Sequence, residues 1–337
     1  MNDKRLRRIA VMAGGYSGEA EISRRSAQMV MEHIDGSRYD AVLVHIDRNG
    51  WWSPQGARGN RTEVDPKSLS LTLDGGETWQ AELAFVMVHG TPGEDGVLQT
   101  QLEAQGMPCT TADSEAMALT FHKGRTTSAL RDALLPVAAS IDVAANESWS
   151  AQRCQEVADT LGLPCFVKPN EAGSSLGISK ASTAADIWPA VCKAREAAQS
   201  SVLVEAALTG REFTCGIVPD DHGKHTVLPV TEIRTDNDFF DFDAKYKGQS
   251  QEITPAPLEE ADTVRLQETA WKVYQTLNLR GMARVDMMMV PGAVPHVIEV
   301  NTVPGFSAQS IIPHQAAKVG ISKQSLITRI IEASWPK

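Results

Sequence analysis

Between Ala283 and Asn301 the chain twice alternates apolar with polar residues, first in Ala283-Arg284-Val285-Asp286 and then in His296-Val297-Ile298-Glu299-Val300-Asn301. Residues two apart on a strand share a face, so this period fits paired strands and not a helix. Arg284 then stands beside Asp286, and Glu299 beside Asn301. If the strands pair, three oxygen donors meet next to one permanent positive charge. Hard oxygen ligands suit Mg²⁺, and a guanidinium suits a carboxylate, a phosphate or a developing oxyanion. A surface strand can carry alternating charges for solubility alone. The turn that follows, Thr302-Val303-Pro304-Gly305, favours a site for magnesium-nucleotide chemistry instead.

The rest of the chain supplies the frame for such a site. A strand over Arg8–Met12 runs into Gly14-Gly15-Tyr16-Ser17-Gly18, and Glu19–Ile34 carries Ile22, Met29, Val30 and Ile34 at helical spacing. Ala41–Ile46 and Leu83–Val88 read as buried strands, with Trp51–Gln80 a turn-rich segment containing a hairpin. Val97–Ala104 reads as a helix closed by Gly106 and Pro108. Strands alternating with helices imply a parallel sheet, with ligands beyond its carboxyl ends. A second unit begins near Ser114. It has one helix containing His122-Lys123, a strand near Val137, a helix over Trp149–Leu161 and a strand over Cys165–Lys168. A small-residue loop, a helix over Ala184–Ala198 and a strand over Val202–Glu205 close it. A third unit has strands over Glu212–Val218 and Thr226–Thr231, a polar and aromatic segment Thr235–Gln251 and a helix over Glu259–Leu277. The two alternating strands and two terminal helices complete it.

Composition narrows the function. Lys and Arg number 32 against 42 Asp and Glu, a formal charge of -10, which argues against a general nucleic-acid binder. No apolar run approaches the length needed to cross a bilayer. Basic residues precede a short apolar stretch at the start, but glycines and Glu19 follow at once, so a first strand is expected there rather than a signal peptide. The 5 cysteines are scattered, without C-x-x-C, as suits buried thiols in a reducing cytoplasm.

Several motifs carry candidate chemistry. Gly14-Gly15-x-x-Gly18 is not G-x-G-x-x-G, and the chain contains no G-x-x-x-x-G-K-[ST], so neither a dinucleotide fingerprint nor a P-loop is present. Glu19 sits where a helix dipole favours a carboxylate; it is a helix-start acid or a ligand for a cationic group. His89 follows an apolar strand in His89-Gly90-Thr91-Pro92-Gly93-Glu94-Asp95-Gly96; it is a substrate contact or a histidine satisfied by the loop. Lys168 ends a buried strand beside Gly173-Ser174-Ser175-Leu176-Gly177, an arrangement able to hold phosphates and close over them. Glu205 and Glu212 flank Leu208-Thr209-Gly210, as surface acids or as partners of a nucleoside. Phe239–Tyr246 is aromatic without an obvious core, either packed under a loop or part of a lid carrying Lys245 and Tyr246.

In this order and over nearly the whole chain, these motifs resemble those of the D-alanine–D-alanine ligases of the ATP-grasp superfamily. Lys168-Pro169, Ala244-Lys245-Tyr246, Arg284-Val285-Asp286 and Glu299-Val300-Asn301 carry the ATP-grasp likeness. The Gly14–Ser23 and His89–Gly96 motifs, with Tyr246, carry the likeness to the dipeptide ligases. The resemblance implies an α/β (α+β ATP-grasp) fold. An N-terminal Rossmann-like substrate domain with a parallel sheet would span 1–112. A central ATP-grasp subdomain would span 113–206, and a C-terminal one with the metal and catalytic site 207–337. It implies ATP with a pair of Mg²⁺ or Mn²⁺ ions as cofactors, the metals on Asp286, Glu299 and Asn301. Lys123, Lys168, Lys245 and Ser174 would meet the phosphates, and Glu205, Ala206, Leu208 and Glu212 the adenosine. Glu19, with His89 nearby, would take the first D-alanine. Ser310 and Lys245 would face the second. Arg284 and the Gly305 amide would form the oxyanion hole, and Glu19, Ser174 and Tyr246 would link loop and lid.

The activity implied is ADP-forming ligation of two D-alanines through an acyl phosphate, for bacterial cell-wall precursors. The expected protein is cytoplasmic and homodimeric, with small-molecule substrates and neither nucleic acid nor membrane as partner. The alternatives are a related ligase making a D-alanine–D-lactate ester, against which Tyr246 speaks, and a non-catalytic nucleotide-binding module. A dehydrogenase reading of the glycine turn is weaker, because Glu19 would oppose a pyrophosphate.

Overall fold

The computed structural model describes residues 5–55, 61–73, 76–222, 224–235, 250–290 and 292–335. The chain begins with β1 (Arg7–Gly14), α1 (Ala20–His33), β2 (Tyr39–Asp47), β3 (Gly50–Ser53), β4 (Thr62–Glu63), β5 (Ser70–Thr72), β6 (Thr78–Gln80), β7 (Leu83–Val86) and α2 (Val97–Ala104). The first sheet has the order β4-β3-β2-β1-β7. Its β2-β1-β7 centre is parallel, as expected of strands joined through helices. β3 and β4 extend it antiparallel, and β5–β6 is the hairpin expected within Trp51–Gln80. Because β1 is central, both of its faces are apolar, and they serve different cores. Ile9, Val11 and Ala13 join a core that contains Phe213, Val285 and Ile330; Ala10 and Met12 pack with Val44 and Leu98.

The second sheet is built from β8 (Ser140–Val143), β9 (Cys165–Pro169), β10 (Ser179–Ala181) and β11 (Val202–Ala206) in the order β10-β9-β11-β8. It follows α3 (Ser114–Phe121) and α4 (Lys123–Asp132), and carries α5 (Ala151–Leu161) and α6 (Ala184–Ala198). Val157, Val167, Ile187 and Val204 belong to a third, separate core.

The third sheet has the order β15-β14-β12-β16-β17, with β13 paired to β12. Its strands are β12 (Arg211–Pro219), β13 (His225–Val227), β14 (Thr231–Thr235), β15 (Ser250–Ile253), β16 (Ala283–Met289) and β17 (His296–Asn301). Helices α7 (Glu260–Thr276), α8 (Ile311–Lys318) and α9 (Lys323–Ser334) complete the chain. One face of this sheet (Phe213, Cys215, Ile217, Val285, Met287) is core. The other holds Glu212, Thr214, Arg284 and Asp286. α9 ties the last helix to the first sheet: Glu332 accepts from Arg7 at 2.9 and 3.0 Å, from Arg38 at 2.7 Å and from the Tyr39 hydroxyl at 2.5 Å.

Several element boundaries differ from the sequence reading, and four of the differences change how the chain is read. The helix expected through His122-Lys123 is two helices, since His122 is extended (φ -91°, ψ 101°) and its Nδ1 accepts from Arg125 N, capping α4. Val137 makes an isolated parallel bridge to Val297, and the strand starts at Ser140. Thr226–Thr231 is divided between β13 and β14, with Pro229, which has no N–H to donate to a ladder, in the break. α5 starts at Ala151 because the Ser150 hydroxyl caps it. Among the described residues no helix is long and apolar enough to cross a membrane.

Candidate active site

β16 and β17 pair antiparallel with Arg284 opposite Asn301 and Asp286 opposite Glu299. Facing residues and residues two apart lie on one side of a sheet, so all four side chains converge. A register shift immediately after Asp286 ends this alignment. The Arg284 guanidinium forks onto the Asp286 carboxylate, Nε to Oδ1 and Nη2 to Oδ2, both at 2.8 Å. Asn301 Nδ2 donates to Asp286 Oδ2 at 3.0 Å. A fourth donor is Thr214, which faces Asp286 across β12 and gives its hydroxyl to Oδ1 at 2.5 Å.

Lys123 opens α4 and reaches across to this sheet. Its ammonium donates to Ala172 O at 2.6 Å and lies 3.5 Å from Glu299. Lys168, on β9, is buried and paired with Glu205 on the neighbouring β11. Ala206 ends β11, its amide bonded to Ala139 O at 2.9 Å; Leu208 follows in the connection to β12, and Glu212 stands on the site face of β12.

A cavity of about 790 Å³ opens beside this sheet, with Glu19, Lys123, Ser174, Arg284, Glu299 and Gly305 in its wall; Lys168 and Glu205 instead line a narrow neighbouring pocket that also touches Lys123 and Glu299. Asn301, His89 and Ser310 also face it. Glu19 sits at the N-cap position of α1 and accepts from Ser174 Oγ at 2.5 Å, joining the first sheet to the small-residue loop after β9. Ser174 itself has φ +50°, and at Gly173 a Cβ would fall 2.1 Å from Glu19 Oε2, so the loop can approach only as glycine. Ser310 begins α8 and accepts from Ser307 N at 2.9 Å; a Cβ on Gly305 would lie 3.2 Å from its hydroxyl.

His89 is buried with both ring nitrogens engaged, Nδ1 with Val303 O at 2.8 Å and Nε2 with Ser26 Oγ at 3.1 Å. Burial lowers its pKa, partly offset by Glu19 and the Val303 bond. Of the expected residues, Lys245 and Tyr246 lie outside those described.

Sequence reasoning gave no role to four residues that the fold gathers here. Thr214 was legible in principle, being two residues from Glu212 on the same strand face. Glu94 was within the glycine-rich motif; its carboxylate accepts from Gly90 N at 2.7 Å and Val303 N at 3.3 Å. Burial first, then the nearby Glu19, pushes its pKa up to about 8. Ser26 lies on the buried face of α1. Glu252, on β15, lines the cavity, and burial raises its pKa; no local pattern marks it.

Among the described residues no group of three or more His, Cys, Asp and Glu is arranged for a metal. The set in register is two carboxylates and an amide, and hard oxygens of this kind fit Mg²⁺ or Mn²⁺.

Residues 8–112 match the family model described as D-ala D-ala ligase N-terminus, and residues 129–332 that described as D-ala D-ala ligase C-terminus. A D-alanine--D-alanine ligase of Flavobacterium johnsoniae is 37% identical over 329 residues, spanning 98% of this chain and 99% of its own. The solved structure of VanG D-Ala:D-Ser ligase from Enterococcus faecalis has a TM-score of 0.86 at 29% identity, covering 98% of this chain and 100% of that one. D-alanyl-alanine synthetase A from Vibrio cholerae has a TM-score of 0.85 at 26% identity, with 98% of each covered.

Proposed function

Since the chain belongs to the D-alanine–D-alanine ligase family, we propose that it joins two D-alanines into D-alanyl-D-alanine at the expense of ATP. The reading rests chiefly on one observation: Arg284, Asp286, Glu299 and Asn301 are in register on a sheet face that shares a cavity with Glu19 and Gly305.

A carboxylate is a poor electrophile, so the first D-alanine is activated by attack of its carboxylate on the γ-phosphorus of ATP, releasing ADP and leaving an acyl phosphate. Lys123 and Lys168, with Lys245 and Ser174, hold the phosphates, while Glu205, Glu212 and the backbone at Ala206 and Leu208 hold the adenosine. Asp286, Glu299 and Asn301 would hold a pair of Mg²⁺ or Mn²⁺ ions, whose chemistry is neutralisation of the phosphoryl oxygens. Glu19 takes the ammonium of the first D-alanine, with His89 in the same wall.

The second D-alanine is oriented through its carboxylate by Ser310 and Lys245. Its amine attacks the acyl carbon; the C–N bond forms, the bond to phosphate breaks, and the amine gives up a proton to the departing phosphate. Arg284 and the Gly305 amide stabilise the oxyanion formed on the way. Water in the cavity would hydrolyse the acyl phosphate, which gives closure by the Ser174 loop, Glu19 and Tyr246 a chemical purpose.

Of the proposed units 1–112, 113–206 and 207–337, the separate core around Val167 and Val204 supports setting the middle one apart, while the first and third share a core. A homodimer in the cytoplasm supplying cell-wall precursors completes the reading.

The decisive assay incubates purified protein with ATP, Mg²⁺ and D-alanine. Phosphate released one-to-one with D-alanyl-D-alanine is the expected result, and ATP binding with no ADP release on adding D-alanine would refute it. Including D-lactate in the same assay across pH separates dipeptide from ester formation.

A further inference from the structure

Three hydrogen bonds cross from α1 and the loop after β7 to the loop that carries Gly305, and all three end on its backbone. His89 Nδ1 meets Val303 O at 2.8 Å, Glu94 Oε1 accepts from Val303 N at 3.3 Å, and Ser26 Oγ accepts from Phe306 N at 3.1 Å. Ser26 and His89 are themselves joined, Oγ to Nε2 at 3.1 Å. Pro304 and Gly305 lie between the fixed points, and Ser26, His89 and Phe306 are buried.

Hydrogen counting settles the direction of each bond. A carbonyl oxygen only accepts, so His89 Nδ1 carries a hydrogen. Ser26 Oγ already receives the Phe306 N–H. If Nε2 also donated to it, the serine hydrogen would need another acceptor, and the described residues provide none in bonding geometry. With Nε2 bare, the serine hydroxyl donates to it and every hydrogen meets one acceptor. The charged groups acting on the ring are Glu19 and Arg284, and they act in opposite senses.

We propose that Ser26 and His89 are positioning residues which fix the Val303–Phe306 backbone, and so aim the Gly305 amide, through a His89 ring protonated on Nδ1 alone. His89 thereby acts through the loop rather than by taking a proton from substrate, because its only bare nitrogen already accepts from Ser26. This deepens the ligase reading and depends on the Gly305 amide serving the acyl-transfer step. That step alone develops charge on the acyl oxygen, so a misaimed amide slows dipeptide formation more than it slows formation of the acyl phosphate. Acyl phosphate that waits is hydrolysed by water to D-alanine and phosphate.

Two measurements test it. In full-length protein with ¹⁵N-labelled histidine, assigned by the signal lost in His89→Gln, the ring should show a protonated Nδ1 and a bare Nε2, unchanged from mildly acidic to mildly alkaline pH. A hydrogen on Nε2, or a ring that titrates in that range, overturns the proposal. In Ser26→Ala, dipeptide formation should fall about tenfold, the size of one net hydrogen bond, while ADP release falls less, so that more than one ADP appears per dipeptide. Wild-type rate with one-to-one coupling overturns it. Equal loss of both partial reactions also overturns it. If Ser26→Ala does not fold, the ring tautomer of the unaltered protein still decides. If the unaltered protein makes no dipeptide, the ligase reading fails while the tautomer measurement continues to test the clamp.

Discussion

The Ser174 hydroxyl donates to Glu19 at 2.5 Å across 155 residues of sequence. It joins a loop of the second sheet to the first helix at a wall of the cavity. A hydrogen bond to a charged group contributes about 1.5–3 kcal/mol. Ser174→Ala should therefore lower kcat/KM for the first D-alanine by roughly tenfold to a hundredfold at about 1.4 kcal/mol per decade. Glu19→Ala should lose more, because it also removes the proposed partner of the substrate ammonium. The double variant should lose less than the sum of the two, since both changes break the same contact. Steady-state kinetics of the four proteins check this; strict additivity would show that the contact has no part in binding.

Arg284 forks onto Asp286 and lines the cavity, so on the proposed assignment its removal touches both the oxyanion and the metal-facing carboxylate. Losing one oxyanion donor typically costs about 10²–10³ in rate. Arg284→Ala should show at least that loss in dipeptide formation while most of the ATP affinity survives, as measured by calorimetric titration. Retained turnover would count against the assignment.

The alternation that made β16 and β17 legible also made their register legible, because a shift by one residue would have turned Asp286 and Glu299 into the core. The buried strand ends at Lys168 and the glycine-rich loops were readable for the same reason: period and composition are local. The rest was not local. The Lys168–Glu205 pair depends on β9 lying beside β11, and the Lys123–Glu299 approach on α4 lying across the third sheet. Glu252 enters the cavity through the pairing of β14 with β15. His122 shows the opposite limit, since a cap between two helices looks from sequence like the inside of one.

Thr214 donates to Asp286 and is buried, with its own backbone oxygen held by Gln315 Nε2 at 3.1 Å. Groups that orient a metal ligand typically change metal affinity by about 10–100-fold when removed. Thr214→Val keeps the shape and loses the hydroxyl. It should raise the Mn²⁺ concentration needed for half-saturation, read by electron paramagnetic resonance, by roughly tenfold. Thr214→Ser should stay close to the unaltered protein. Equal Mn²⁺ binding in all three would remove Thr214 from any role at the metal.

Glu94 gives a pH dependence whose sign is fixed by its environment. Burial and the neighbouring Glu19 and Glu299 raise its pKa from 4.5 to about 8, against the two backbone donors that lower it. The folded protein therefore binds this proton more tightly than the unfolded chain does. Its contribution to stability is complete below the unfolded pKa and is lost as pH rises toward the folded value, because in that window the native state holds a proton that the unfolded state has released. Melting temperature should fall as pH rises from about 5 to about 8 to the extent that this carboxyl controls it. Glu94→Gln keeps an uncharged side chain of similar shape at all pH values, so its melting temperature should decline less steeply over that range. Parallel melting curves for the two proteins across the window would mean that Glu94 is already ionised in the native state.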